Sequence, residues 1–301
     1  MTSLMQAQLL DSTASRATGA AERDVAFIFV QALAAELSGG RVELPGFPHI
    51  VVRIQRVLND EQADTARIVR VIGGEPVLAT QLVRMANSVA FNPEGVPVTD
   101  LRSAVTRVGL DTVRTATMAC AMRQLRNAPT LRGLEAQLGV LWRRCVLVAS
   151  LSFVIARRLT QVIADTALLA GLLQGVGRLY ILTRASRHRS LFHDAAAYQA
   201  IERAWHRSIA AALLENWGMA EEIVHAVQES ENYERETRGL PGLADVVLAG
   251  TLLADIGDPL ALAEVVEGSK SLQRLGLDPE GCQALLDESA QEITALREAL
   301  G

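Results

Sequence analysis

The stretch LWRRCVLVASLSFVIARRL, residues 141–159, decides the fold class. With the residues just before it, Leu138, Leu141, Cys145, Val148, Ser152, Ile155 and Leu159 step by three or four positions throughout. That is the period of an α-helix, and a strand would alternate every second residue. The spacing predicts one long helix over 134–159 with a single mainly buried stripe, suited to a bundle. The next apolar stretch, VIADTALLAGLLQGVGRLYIL, predicts a central helix over 165–184. On this reading Gln174 and Gly175 lie inside that helix, and its glycines serve close packing. Asp165, Gln174 and Arg178 argue against a membrane span, which would have to hide all three.

Working outward, helix signals recur along the chain. A helix is predicted over 25–38, ended by Gly39-Gly40, and another from about Pro48 to Leu58. DTARIVRVIGG places Ile68, Val71 and Ile72 on one face. Pro76 opens a helix on which Leu78, Leu82, Met85 and Val89 recur at helical spacing. Thr99 or Asp100 can cap the following helix, whose apolar face is Leu101, Val105 and Val108. Gly109 can end it with positive φ, and Asp111 can cap the next. Further helices are expected up to Gly218, over MAEEIVHAVQES, and after residue 241 in LADVVLAGTLLADIG, DPLALAEVVEG and the segment opened by Asp278-Pro279. No strand run and no fixed-period repeat is evident. The chain is therefore read as all-α. Residues 1–41 form an N-terminal extension, flexible in part or helical.

Composition restricts the chemistry. The 301 residues are 50% hydrophobic and 21% charged, with a net charge of −5, which argues against a broad nucleic-acid-binding surface. Cys120, Cys145 and Cys282 are far apart, form no CxxC, and suggest neither disulfides nor a zinc site. That cysteine usage suits a reducing cytoplasm, which is the expected setting, with no membrane association, and the first residues lack the order of a signal peptide. Neither a phosphate-binding GxxxxGK[ST] loop nor a GxSxG elbow is present. Of His49, His188, His193, His206 and His225, no two stand at i,i+4. Glu229, Glu231, Glu234 and Glu236 read as a solvated acidic face, and Trp142, Trp205 and Trp217 as apolar anchors.

Two segments together, PVLATQLVRMANSVAF and VTDLRSAVTRVGLDTVR, resemble the first half of the HDOD family. The matching positions are Asn87-Ser88, Ala104 and Val108-Gly109, with Pro45 and Pro48 in the preceding LPGFPHIVVRIQRVLND. The resemblance spans residues 42–240, and SLQRLGLDPEGCQALLDE is similar to helices often appended to such domains. It implies a multi-helical bundle of two lobes, 42–130 and 131–240, with a C-terminal helical tail over 241–301. It also implies kinship with the HD metal-dependent phosphohydrolases.

Members that keep the ancestral metal site carry a histidine after a tryptophan, and later a GLLHDIG helix. Here Trp142 matches, but Arg144 stands in place of the histidine. Gln174 and Gly175 replace the histidine and aspartate of GLLHDIG. His206 matches a further histidine, while Ser230 and Glu231 stand where a last histidine pair is expected. A guanidinium repels a divalent cation, and one imidazole cannot hold one. The expectation is a domain without catalytic residues, metal or cofactor. Its expected role is bacterial signalling through a protein partner, with no nucleic acid and an open oligomeric state. The alternatives are a nucleotide- or cyclic-dinucleotide-binding effector without turnover and, last, a metal-dependent phosphohydrolase. Asn87 and Ser88 are expected to cap their helix, with partner contact as the rival role. Gly109, Trp142, Arg144, Gln174, Gly175, His206 and Trp217 complete the positions of interest.

Overall fold

A computed structural model describes residues 25–40, 42–44, 48–60, 62–126, 128, 131–236, 239–256, 266 and 268–300. Among the described residues every regular element is helical. In order they are α1 (Val25–Ser38), α2 (His49–Leu58), α3 (Thr65–Gly73), α4 (Pro76–Ala86), α5 (Leu101–Arg126) and α6 (Glu135–Leu159). Then follow α7 (Ala164–Leu173), α8 (Val176–Ala185), a 3₁₀ turn (Arg189–His193), α9 (Ala195–Asn216) and α10 (Glu221–Glu229). The chain closes with α11 (Leu243–Asp255), α12 (Lys270–Arg274) and α13 (Pro279–Leu300). Residues 1–24 of the predicted 1–41 extension, Pro45 and most of the DPLALAEVVEG helix lie outside the described residues.

Helix α6 is the axis of the structure. It packs against α7, α11 and α13, while α7 reaches on to α5 and α10. A single hydrophobic cluster runs from Phe29 on α1 to Leu300 on α13. The expectation of one buried stripe on α6 therefore fails at its centre: every residue from Val148 to Ala156 is buried, because helices cover it on several sides. Glycines make that approach close. A Cβ on Gly171 of α7 would lie 2.8 Å from the Ala149 Cα, and one on Gly250 of α11 would lie 2.6 Å from the Ser152 Oγ. Such distances leave no room for a side chain.

Local signals account for most boundaries. The Asp100 carboxylate accepts from the Ser103 N–H at 2.8 Å. Gly109, with φ 78° and ψ 166°, divides α5 into two helical segments. Asp111 is turned to side chains, accepting from Arg114 at 2.8 Å and from the Thr166 hydroxyl at 3.1 Å. Gly218, with φ 68°, ends the turn after α9. The Asp278 carboxylate accepts from the Gly281 N–H at 2.6 Å at the start of α13.

Two expectations need correction. The apolar stretch 165–184 is two helices, α7 and α8, parted at Gln174-Gly175. The break turns the chain from its contacts on α6 to a new set on α9. Val89 does not continue the buried face of Leu78, Leu82 and Met85, because α4 ends at Ala86 and Val89 is exposed. Asn87 stops the helix: its amide nitrogen donates to the Val83 carbonyl (2.9 Å) and the Val98 carbonyl (2.7 Å), and its oxygen accepts from the Val98 N–H (2.8 Å). Ser88 donates to the Met85 carbonyl at 2.8 Å. The pair thus holds the returning chain against the helix end.

Candidate functional site

The break between α7 and α8 is the floor of a polar cluster. Gln174 is 1% exposed at the end of α7, and Arg178 follows four residues later, one turn along. Arg144 comes from α6, Glu202 and His206 from α9, Glu231 from just beyond α10, and Asp255 from the last turn of α11. Gly177 brings α8 and α9 together: a Cβ there would lie 1.8 Å from the His206 carbonyl oxygen. Gly175 is equally constrained, since a Cβ would lie 2.2 Å from the Cys145 Sγ. The family's aspartate at this position would collide with that thiol.

Glu231 is the hub. Arg178 Nη2 donates to its Oε2 at 2.8 Å, and Nη1 stands at the same distance from Oε1 as an ion-pair contact. The Glu231 carboxylate also accepts from Arg144 Nη2 at 3.1 Å and lies 3.2 Å from His206 Nε2. Arg144 donates through Nε and Nη2 to the two Asp255 oxygens, each at 2.8 Å, and through Nη1 to the Gln174 carbonyl oxygen at 3.0 Å. Arg178 Nε stands 3.5 Å from Glu202. Two guanidiniums and three carboxylates thus close on one another, and the bidentate Arg144–Asp255 pair is the most directional of these contacts.

Electrostatics follow from this packing. Burial would raise the Glu231 pKa, but hydrogen bonds from His206 and Arg178 outweigh it and hold the carboxyl well below the usual range. Burial lowers the His206 pKa, with Arg178 acting in the same direction against the opposing pull of Glu231, so the ring is neutral at pH 7. Its Nε2–H then donates to Glu231, and among the described residues Nδ1 has no hydrogen-bond partner. For Arg144, burial acts downward but Asp255 and Glu231 raise the pKa, so its charge is permanent. Cys145, beneath Gly175, is pushed up to about 11 by burial and stays a thiol, which removes it as a nucleophile.

These residues do not fit a divalent cation. The Gln174 oxygen and both Glu231 oxygens are already engaged by guanidinium or imidazole donors. Ser230, at the other expected histidine position, is buried and donates to the Val227 carbonyl at 2.8 Å. Among the described residues, no three His, Cys, Asp or Glu side chains converge as a metal-ligand set. Two arginines carry the positive charge that a metal would otherwise bring.

Arg144, Gln174, Gly175, His206 and Glu231 therefore come together as the resemblance implied. The other positions do not join them. Trp142 lies in a groove between α6 and α13, Trp217 stands just past the far end of α9, and Asn87, Ser88 and Gly109 shape the first half of the chain. Arg178, Glu202 and Asp255 were not singled out as site residues. A lone arginine within an apolar run was the available signal for Arg178. For Glu202, the signal was its i,i+4 spacing to His206.

The HDOD domain family matches residues 44–233. The chain is a member of the HDOD family. No curated protein matches it in sequence. Among solved structures, this HDOD protein is similar to one from Shewanella amazonensis SB2B that bears the provisional name metal-dependent phosphohydrolase. The two are 22% identical, with a TM-score of 0.71, over 92% of this chain and 100% of that one. An HDOD domain protein of unknown function from Geobacter sulfurreducens gives 24% identity and a TM-score of 0.64, covering 90% and 97%. A protein from Marinobacter aquaeolei VT8, provisionally named a signal transduction protein, gives 23% and 0.58, covering 93% and 66%. At these identities the likeness establishes the fold. Within that fold, α6 and the combined α7–α8 stretch are long and apolar enough to cross a membrane. Their apolar windows are 67% and 89% buried by other parts of the HDOD protein.

Proposed function

We propose that this HDOD protein is a non-hydrolytic regulatory domain that acts by binding another protein. The observation that supports this reading is the Arg144–Glu231–Arg178 arrangement. A phosphohydrolase site needs a metal to polarise the phosphoryl oxygen and to generate hydroxide at neutral pH. Here the acidic hub that could serve such an ion is neutralised by side chains of the protein itself. A permanent internal ion-pair lattice fixes the relative positions of α6, α8, α9 and α11, and so presents a defined helical surface for recognition. The provisional signal-transduction name of the Marinobacter relative agrees with this role, which in this chain is a proposal.

The test is turnover. Purified protein is supplied with Mn²⁺, Fe²⁺ or Mg²⁺ and assayed on bis(p-nitrophenyl) phosphate, mononucleotides and cyclic dinucleotides. The proposal expects no hydrolysis above buffer. Chelator-sensitive turnover that disappears in Glu231→Gln would overturn it.

A further inference from the structure

A second feature lies where α13 packs on α6. Between the two helices runs a groove of about 380 Å³, a volume at the lower end of ligand clefts. Trp142 and Val146 of α6 are buried residues that form its apolar floor. Trp142 is 7% exposed, yet its indole N–H is open to solvent and donates to no group among the described residues. An indole so placed offers a large apolar body and one donor still to be satisfied.

Arginines frame this floor. Arg143 and Arg297 are exposed lining residues, and among the described residues neither forms an ion pair. The Arg143 guanidinium lies back along α6, with Nη1 3.3 Å from where a Cβ on Gly139 would stand. Arg84 of α4 reaches the last turn of α13 and donates to the Glu298 carbonyl at 2.7 Å. It too has no carboxylate partner among the described residues. Against these three charges the groove carries one carboxylate, that of Glu298. Thr294 spends its hydroxyl proton on the Ala290 carbonyl at 2.8 Å. In a chain of net charge −5 the groove is thus locally positive, with donors still unspent.

The matching occupant brings acceptors of negative charge together with an apolar group. All six lining residues lie inside helices, where backbone N–H groups are committed to the helical ladder. They therefore form no backbone cradle for a phosphate. What is left is recognition of carboxylates by side chains along two helices, as when an amphipathic segment lies in a groove. We propose that this groove docks an acidic segment of a partner protein. An aromatic or aliphatic side chain of the segment rests on Trp142 and Val146, and flanking Asp or Glu residues meet Arg143 and Arg297. The proposal rests on the reading of this HDOD protein as a binding domain, and names the surface that it uses.

The test is selection of a randomised peptide library, displayed on phage, against the full chain, followed by fluorescence anisotropy of the selected peptides. The expected peptides place Asp or Glu beside Leu, Phe or Trp, and bind more weakly as salt rises. Arg143→Glu combined with Arg297→Glu, both at exposed positions, should shift the melting temperature little while weakening those peptides about tenfold or more. Trp142→Phe keeps the ring body but loses the N–H, and should weaken them about fivefold. A library that yields no binder, or a basic or uncharged consensus, would overturn the proposal. So would an affinity unchanged by the arginine reversals, or displacement of the peptide by equimolar inorganic phosphate. Sedimentation supplies one more contrary result: a dimer that the same reversals convert to monomer would give the groove to a second copy of the chain. None of these results touches the non-hydrolytic reading, which falls only to metal-dependent turnover.

Discussion

Arg178 and Glu231 face each other in a two-point contact, with both nitrogen–oxygen distances at 2.8 Å and both side chains only 13% exposed. Buried pairs of this kind add little net stability against an apolar replacement, but removing one partner strands the other charge. Glu231→Gln should therefore cost about 3 kcal/mol, with two arginines left short of counter-charge. Urea denaturation of the variant measures this. A loss below about 0.5 kcal/mol would show that water reaches the cluster freely.

The same cluster should make the protein acid-sensitive, with a sign that can be worked out. The pKa values of His206 and Glu231 are both lowered in the folded state. A group with a depressed folded pKa gives up its stabilisation as pH falls, because the unfolded chain takes the proton first. Stability should be fullest above about pH 6.5. It should decline first as unfolded-state histidine protonates, then again below about pH 4.5 as unfolded-state glutamate does. Melting temperature against pH reads this directly. In His206→Gln the upper part of the decline should flatten while the lower part remains.

Gly175 and Cys145 form a steric pair, since a methyl at 175 would lie 2.2 Å from the thiol sulfur. Gly175→Ala should destabilise by about 1–3 kcal/mol, the usual cost of overpacking. Cys145→Ala should recover part of that loss in the double variant. A double-mutant cycle with no coupling would refute the contact. Gly177→Ala should be worse than Gly175→Ala, because its clash is with the backbone of α9 rather than with a side chain.

Asn87 offers a prediction far from the cluster. Its three hydrogen bonds join the end of α4 to Val98. Asn87→Ala should cost about 1–3 kcal/mol by leaving part-buried backbone groups unpaired. Ser88→Ala, which loses one local bond, should cost less. Chemical denaturation of the two variants side by side provides the comparison.

The helical signals were legible where they are local. Asp100, Gly109, Gly218 and Asp278-Pro279 each act within one turn of the chain, and each acts as its residue type suggests. The break at Gln174-Gly175 was not legible, because it depends on α8 turning toward α9, and apolar periodicity runs straight through it. The full cover on α6 was hidden for a similar reason: helices far along the chain bury the sides that a single stripe leaves open. At the site, Arg144, Gln174, Gly175 and Glu231 could be named by matching positions to a family pattern. Asp255 could not, since it joins Arg144 across 111 residues and follows no local spacing.

The central claim is that arginine side chains occupy the place of a metal. It is tested most directly by measuring metal content in protein dialysed against Mn²⁺, Fe²⁺, Ni²⁺ or Zn²⁺ and then freed of unbound ion. The account predicts less than about one-tenth of an equivalent of any of them, in both the native chain and Glu231→Gln. One or more equivalents retained by the native chain and lost in His206→Ala or Glu231→Gln would contradict it.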